Sequence, residues 1–425
     1  MQTGVPQSRA GNPSAGERSI MRNLGRFGLA IALLLALAPL VRQSGVKAGG
    51  GPLNTASESY RVLAPIESGN LLLFPVVRVN GNSPGATPFL TLDEGIKSGQ
   101  VEVTEAGRVQ GLVRSRGGQP AFHEERNRGD EVNTLVLINH SKQPLLLLAG
   151  EIVTGGKQDR VIAKDRIVPA GGDPIDLSVF CIEPGRWTES SSTFGAAAET
   201  ASRSFMVQPT VRQNAMVAKD QQQVWASVRG SISQMEMAAA PSASAGRQGD
   251  EGLAGQAGYP PAAGTSSYAK VMQDKAVSAK VDEAAAQLMK SQDQLLAQLR
   301  QEHAVGVVVA VRGEIVWADL FADTDLLSRY WTKLVRSYAA ESLTAGETRA
   351  APSVADAQSF LNAPSGGAET SEGEVGVYRY REVNSGGTET FVLESLLPAT
   401  GYDVHISKLK LRTAERRIRP QLRVY

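Results

Sequence analysis

Residues 305–342 read VGVVVAVRGEIVWADLFADTDLLSRYWTKLVRSYAAES, and three elements follow from that stretch. Val305–Val311 and Glu314–Phe321 are apolar, β-branched runs separated only by Arg312-Gly313. Two such runs divided by two residues, one of them glycine, predict a tight antiparallel hairpin. The period then changes. Leu326, Leu327, Tyr330, Leu334 and Tyr338 share one side of a 3.6-residue repeat, which predicts a helix over 323–342 with those side chains inward.

Working outward, the chain is β-like on both sides of a helical middle. Leu71–Val79, Val101–Thr104, Val132–Asn139, Pro144–Thr154, Gln158–Val168 and Pro174–Glu183 are rich in Val, Ile or Leu and bounded by Gly, Pro, Asn or Asp. Val375–Glu382, Glu389–Leu396 and Tyr402–Leu411 repeat the pattern near the end. In between, 209–237 carries a stripe of Trp225, Val228, Ile232 and Met235, and 267–302 carries Val281, Ala285, Leu288, Gln292, Leu295 and Leu299. Gln292 interrupts that second seam. The two stripes fit either core helices on a sheet or a partner-binding coiled coil. Strands, then helices, hairpin, helix and strands predict an α+β fold, with mostly antiparallel strands at both ends and long helices in the middle.

Residues 70–411 are expected to form one domain behind a Gly/Ser/Pro-rich tether at 49–69. The charged stretch 114–130 reads as a solvated loop, 241–264 as a linker or insertion, and 350–373 as a low-complexity loop. A basic tail follows at 412–425. The stretch 406–425 holds seven basic residues against one acidic, which suits contact with an anionic surface or a frayed terminus.

The N-terminus predicts export. Phe27–Val41 is a 15-residue apolar run preceded by Arg18, Arg22 and Arg26. As a helix it would reach roughly 22 Å at about 1.5 Å per residue, short of a hydrocarbon core of about 30 Å. With Val46-Lys47-Ala48 as a small-residue cleavage site, residues 1–48 read as an export signal, or, left uncleaved, as a membrane tether through Phe27–Val41. The expected location is periplasmic or extracellular. Beyond Ala48 the body holds 38 basic and 42 acidic residues, a mildly acidic balance that argues against a nucleic-acid partner. Its single cysteine, Cys181, excludes a disulfide framework or multi-cysteine zinc module, and four scattered histidines make no metal site.

The densest polar and glycine-rich segment is Gly150–Trp187. Gly150, Gly155, Gly156 and Lys157 approach a phosphate-binding P-loop and fail it, because Gln158 follows the lysine and Val161–Val168 is no helix. A hairpin turning at Gly155-Gly156 fits better. That register sets Val153 opposite Gln158 and Glu151 opposite Arg160, with all four on one face. They form either a structural cross-strand pair or a surface reading anions and amides. The strand ending at Glu183 runs into Pro184-Gly185, a turn that presents Arg186 and Trp187. An arginine fork and an indole there can clamp a carboxylate or phosphate and a ring, or else Trp187 fills the core edge and Arg186 pairs with Glu183. Cys181, inside the apolar run LSVFCI, reads as a small buried hydrophobe. His405 stands alone on a late strand.

Five stretches carry a resemblance: Phe89–Gly95 (FLTLDEG), Leu148–Arg160 (LAGEIVTGGKQDR), Cys181–Trp187 (CIEPGRW), Gly306–Phe321 and Gly401–His405 (GYDVH). Together they resemble the ARG and Rhodanese-Phosphatase-superfamily-associated Protein domain family. The resemblance implies association with ADP-ribosylglycohydrolase-like and phosphatase-like proteins, hence nucleotide or ADP-ribose metabolism. The expected function is a ligand-binding or interaction module for a small anionic or nucleotide-like ligand, through Lys157, Gln158, Arg160, Arg186 and Trp187. One alternative is a hydrolase of ADP-ribose-like or phosphorylated substrates with Glu151 or Glu183 as base. Another is a structural envelope protein. No nucleophile elbow, HExxH pair, dinucleotide fingerprint or EF-hand occurs, so no cofactor or metal is expected.

Overall fold

In the computed structural model the described residues are 60–79, 89–109, 113–114, 120–121, 134–186, 188–198, 200, 203–240, 264–290, 292–344, 346–363, 366–398 and 401–411. The predicted hairpin lies at the centre of the larger of three sheets. Ala304–Val311 pairs with Glu314–Phe321, and the turn residues Arg312 and Gly313 have φ of 49° and 77°. Those are the two left-handed positions of a type I′ turn, whose twist matches that of the flanking strands. Leu71–Arg78 adds to one side of the hairpin, followed by Tyr60–Val62 and Ile66–Ser68. Asp403–Lys410, Thr388–Ser395, Tyr378–Asn384 and Ala368–Glu374 add in turn to the other. Every pairing in this nine-stranded sheet is antiparallel.

Alternation explains why Leu71–Val77 and Ala304–Val311 are apolar without a break. Leu71, Leu73, Val77, Val307 and Val309 face the helices, whereas Leu72, Phe74, Val76, Val308 and Ala310 form a second core closed by Ala357. With both faces buried, these two strands carry no polar side chain. A third core fills the space among the remaining strands. These form an eight-stranded sheet that includes Ile152–Gly155, Arg160–Ile162, Ile175–Cys181 and Thr134–Asn139, and a three-stranded sheet of Arg166–Val168, Leu145–Leu147 and Leu90–Thr91. Runs of strands and runs of helices occupy separate parts of the chain, so the fold is α+β.

The helix Thr324–Ser342 is held at both ends. Asp323 accepts from Leu326 N at 2.7 Å, and Arg312 Nη2 donates to the Ser342 carbonyl at 2.8 Å. Each contact satisfies a backbone group that a helix end leaves unpaired. The helix predicted over 267–302 is interrupted instead: Tyr268–Gln273, Lys275–Ala284, Ala286–Met289 and Gln292–Gln301 follow one another. Asp274 is extended and caps the second piece through Ala276 N and Val277 N. Val281, Ala285, Leu288 and Leu299 still reach the main core, which makes these core helices. Gln292 starts the last piece and donates to Thr332 Oγ1 at 3.2 Å. In Gln221–Ala239 the buried stripe begins at Val224, and Trp225 is only half-buried.

The stretch 350–373 is not simply a loop. It contains the helix Val354–Asn362, opened by a reciprocal capping box between Ser353 and Asp356, and most of the edge strand Ala368–Glu374. Short strands at Val113–Arg114 and Pro120–Ala121 interrupt 114–130. No helix among the described residues is long and apolar enough to cross a membrane. Phe27–Val41, Trp187, 241–263 and 412–425 lie outside the described residues.

Candidate functional site

The glycine hairpin forms in a register different from the one predicted. Val153 pairs with Arg160 and Ile152 with Val161, two residues further along the returning strand. Gly155 is needed both for its positive φ of 129° and for close approach. It pairs with Phe194, and a Cβ on it would lie 2.4 Å from Ser191 Oγ. Asp159 then bridges the widened loop by accepting from Gly155 N at 3.0 Å.

Lys157, Gln158, Arg160, Glu183 and Arg186 do come together around this loop, and most of their polar atoms meet one another. Arg186 Nη2 pairs with Glu183 Oε2 at 2.5 Å, while its Nη1 donates to the Gly156 and Thr188 carbonyls at 3.1 and 2.7 Å. Gln158 Nε2 donates to Glu183 O at 3.1 Å, and Lys157 N donates to Glu105 Oε1 at 3.1 Å. Arg160 is fully buried between Glu105 and the Gln158 carbonyl. Asp159 also accepts from Ser267 Oγ at 2.6 Å. Burial pushes its carboxyl above the ordinary value despite that bond. Cys181 is buried beside Arg160, and burial raises its thiol to about 11, far from a thiolate nucleophile.

Glu151 does not join Arg160. It turns instead to Lys333 of Thr324–Ser342, which it shares with Asp93, the Lys333–Asp93 contact being 2.9 Å. Two buried carboxylates thus compete for one ammonium. Burial opposes charge on both, but Lys333 and Ser204 hold Asp93 below its usual range. Burial wins at Glu151, whose carboxyl is raised with the neighbouring Asp93 adding to the effect. Glu151 also accepts from Leu148 N at 2.8 Å.

His405 is not alone either. Its Nδ1 meets Asp165 Oδ2 at 2.6 Å and its Nε2 lies 3.2 Å from Asp319 Oδ1. Asp319 further receives Arg212 Nη1 at 2.9 Å, Ser407 Oγ at 2.8 Å and the Tyr338 hydroxyl. Asp165 accepts from Ala149 N at 2.7 Å, and Arg212 stacks 4.6 Å from the Trp317 ring centre. Burial disfavours the imidazolium, but Asp165 and Asp319 outweigh it and raise His405 to about 8. Burial would likewise raise Asp319, yet Arg212 and His405 hold it far below its usual range.

Most side chains of these three clusters are buried, although Asp165 also borders a small pocket with Lys164 and Arg166. An open, polar-walled space lies elsewhere, where the segment before helix Pro209–Gln213 passes the interrupted helices. A cleft of about 420 Å³ is bordered there by Arg203, Phe205, Met272, Gln273, Ser278 and Arg336. Arg336 is only 3% exposed. It is anchored by an ion pair to Asp282 and a 3.2 Å bond from Nη2 to Ser278 Oγ, while its Nε meets no hydrogen-bond acceptor among the described residues. That Nε is itself sealed from solvent, so what the cleft offers a ligand is the positive charge of Arg203 and Arg336 and not a free donor. Gln273 Nε2 closes the neighbouring wall by donating to Ala197 O at 2.6 Å. Sequence reasoning did not reach Arg203 or Arg336, because nothing local marks them. Arg336 stands in a helix whose apolar stripe dominates its reading, and the facing Ser278 is 58 residues away.

The class defined so far is an α+β scaffold tied by buried ion-pair clusters and carrying an arginine-bordered cleft. The chain belongs to the ARG and Rhodanese-Phosphatase-superfamily-associated Protein domain family, whose model matches residues 59–409. No curated protein and no solved structure matches it.

Proposed function

We propose that this chain is an exported binding module for a small anionic ligand, received in the cleft at Arg203 and Arg336. The observation that carries the reading is the pair of arginines, Arg203 and Arg336, that border that cleft. Arginine stays charged at any accessible pH, and a charge-assisted bond from a desolvated fork is roughly twice as strong as a neutral one. Arg203 adds a second cation at the exposed side of the same space. The cleft lies within the roughly 300–1,000 Å³ range of small-molecule sites. The family's name associates it with the phosphatase superfamily, in keeping with an anionic ligand. Export is supported by the basic, apolar and small-residue succession of residues 18–48.

Two measurements test the reading. Thermal unfolding in the presence of nucleotides, ADP-ribose and sugar phosphates should rise with at least one of them, by about 2.7 kcal/mol of stabilisation at a hundredfold excess over Kd. Arg336→Gln should abolish the rise, and a rise that survives it would exclude the cleft. Mass spectrometry of the protein made in a secreting bacterium should find an N-terminus after Ala48. Full-length chain confined to the cytosol would refute export.

A further inference from the structure

The two edges of the nine-stranded sheet are finished differently. At one edge Tyr60–Val62 and Ile66–Ser68 lie along Leu71–Arg78, and both are covered. Gln358 of helix Val354–Asn362 sets its side-chain amide there as a strand would. Its Oε1 accepts from Val62 N at 2.9 Å and its Nε2 donates to Tyr60 O at 3.1 Å. Ser68 is closed off by the helices, its Oγ donating to Ala284 O at 2.6 Å. At the other edge Ala368–Glu374 pairs only with Tyr378–Asn384 among the described residues, and residues 368–372 are exposed. The outer side of such a strand offers unpaired N–H and C=O groups to another strand. Its glutamates do little to repel one. Glu372 is held by Lys164 at 2.7 Å and Glu374 is buried beside Arg166, both on the face shared with Tyr378 and Tyr380 of the main core.

We infer that this edge receives the same edge of a second copy of the chain, Ala368–Glu374 running antiparallel to its twin about a two-fold axis at Ser371. The sequence AETSEGE suits that register. It sets Ala368 opposite Glu374, Glu369 opposite Gly373 and Thr370 opposite Glu372 of the second copy. All seven residues overlap and no glutamate stands directly across from another, an arrangement that avoids like-charge repulsion. An axis one residue on, at Glu372, would set two glutamates face to face. Gly373 puts no side chain in the way of the incoming Glu369. Its cross-strand neighbour Arg379, half-exposed and paired with Glu394 at 3.3 Å, then stands two strands from that glutamate, about 10 Å between backbones and within reach of the two side chains. Because the opposite edge is covered, the pairing closes at two copies and does not run on into a filament. The contact is about 24 Å long at about 3.4 Å per residue, small beside a standard interface of about 800 Å² per partner, so the dimer is reversible.

The test is sedimentation equilibrium of the full-length chain from micromolar to near-millimolar concentration. The mass should rise from 45.1 kDa toward twice that value. Ser371 is exposed, so its side chain can be changed without disturbing the fold. Ser371→Glu and Ser371→Lys each set like charges against each other at the axis, and each variant alone should stay monomeric. Mixed in equal amounts, the two should dimerise, because unlike charges then meet. A monomer at every concentration of the unaltered protein would overturn the dimer and leave the edge to a strand of another protein. Dimers that persist in both single variants would overturn it by placing association elsewhere on the chain, Phe27–Val41 included. Variants that stay monomeric when mixed would overturn the pairing at Ser371.

Discussion

Raising the pH through 8 should loosen this fold in a defined way. His405 is fully buried between Asp165 and Asp319, and its pKa is raised from 6.5 to about 8. A group whose folded pKa lies above its unfolded value stabilises the fold fully below the unfolded pKa. That stabilisation fades as pH rises from 6.5 and is gone above about 8. That rise in pKa corresponds to about 2 kcal/mol. Lys408 works in the opposite sense. Buried at the end of helix Val354–Asn362, it donates to the Leu361 and Ala363 carbonyls, and burial lowers it from 10.5 to about 8. Its folded state sheds a proton that the unfolded state keeps, so stability regains ground between pH 8 and 9, above which the Cys181 thiol, raised from 9 to about 11, offsets the gain. The expected curve falls from pH 6.5 to 8 and then turns upward. Urea unfolding at fixed ionic strength from pH 6 to 10 measures it. His405→Gln should remove the fall and Lys408→Met the rise. A His405→Gln protein that still loses about 2 kcal/mol between pH 6.5 and 8 would refute the assignment to this imidazolium.

Other substitutions test the remaining clusters. Lys333→Met leaves Glu151 and Asp93 buried without their cation, which should cost about 3–5 kcal/mol in chemical denaturation; adding Glu151→Gln should recover part of the loss. Gly306→Ala would place a Cβ 2.2 Å from the Asp319 carbonyl oxygen in the paired strand, so a loss of about 1–3 kcal/mol or more is expected in thermal unfolding. The double change Lys157→Ala/Arg186→Ala should lower stability by about 2 kcal/mol, since Glu183 and Asp159 lose their guanidinium. Ligand-induced stabilisation in the same protein should remain, and its loss would return the ligand to the glycine loop.

What the sequence revealed, and what it did not, divides by the range of the interactions involved. The hairpin 304–321 and the helix after it were legible because period, turn and caps lie within a few neighbours of one another. The capping box at Ser353 and Asp356 was equally local, but its low-complexity surroundings hid the helix it starts. The register at Gly155-Gly156 was not local. Two glycines there satisfy a two-residue turn, yet Asp159 and the approach of 191–194 decide the pairing. His405 looked solitary for the same reason, since its partner Asp165 lies 240 residues earlier. Among the candidate site residues, the 157–160 loop lies beside Glu183 and Arg186. Spacing could not show that Glu151 faces Lys333, because the pairing depends on how a distant helix packs.

The motifs that carry the family resemblance act on the backbone more than on solvent. Within LAGE, the amides of Leu148 and Ala149 are bound by the carboxylates of Glu151 and Asp165. Those carboxylates are neutralised by Lys333 from a helix and by His405 from the far sheet. One tight turn at 148–151 is thereby tied to two other parts of the fold through buried charge. Removing a single partner of such a pair costs several kcal/mol, because the other charge stays desolvated. That physical demand is enough to require Glu151, Asp165, His405 and the GYDVH strand together, without any substrate. A ligand site needs the reverse condition, a charged group at an accessible wall. Of the arginines at the glycine loop, Arg186 is bound to Glu183, Asp159 and three carbonyl groups. Arg336 and the exposed Arg203 border about 420 Å³ of open space. The motifs therefore account for the scaffold, and the proposal of a ligand rests on the cleft they leave open.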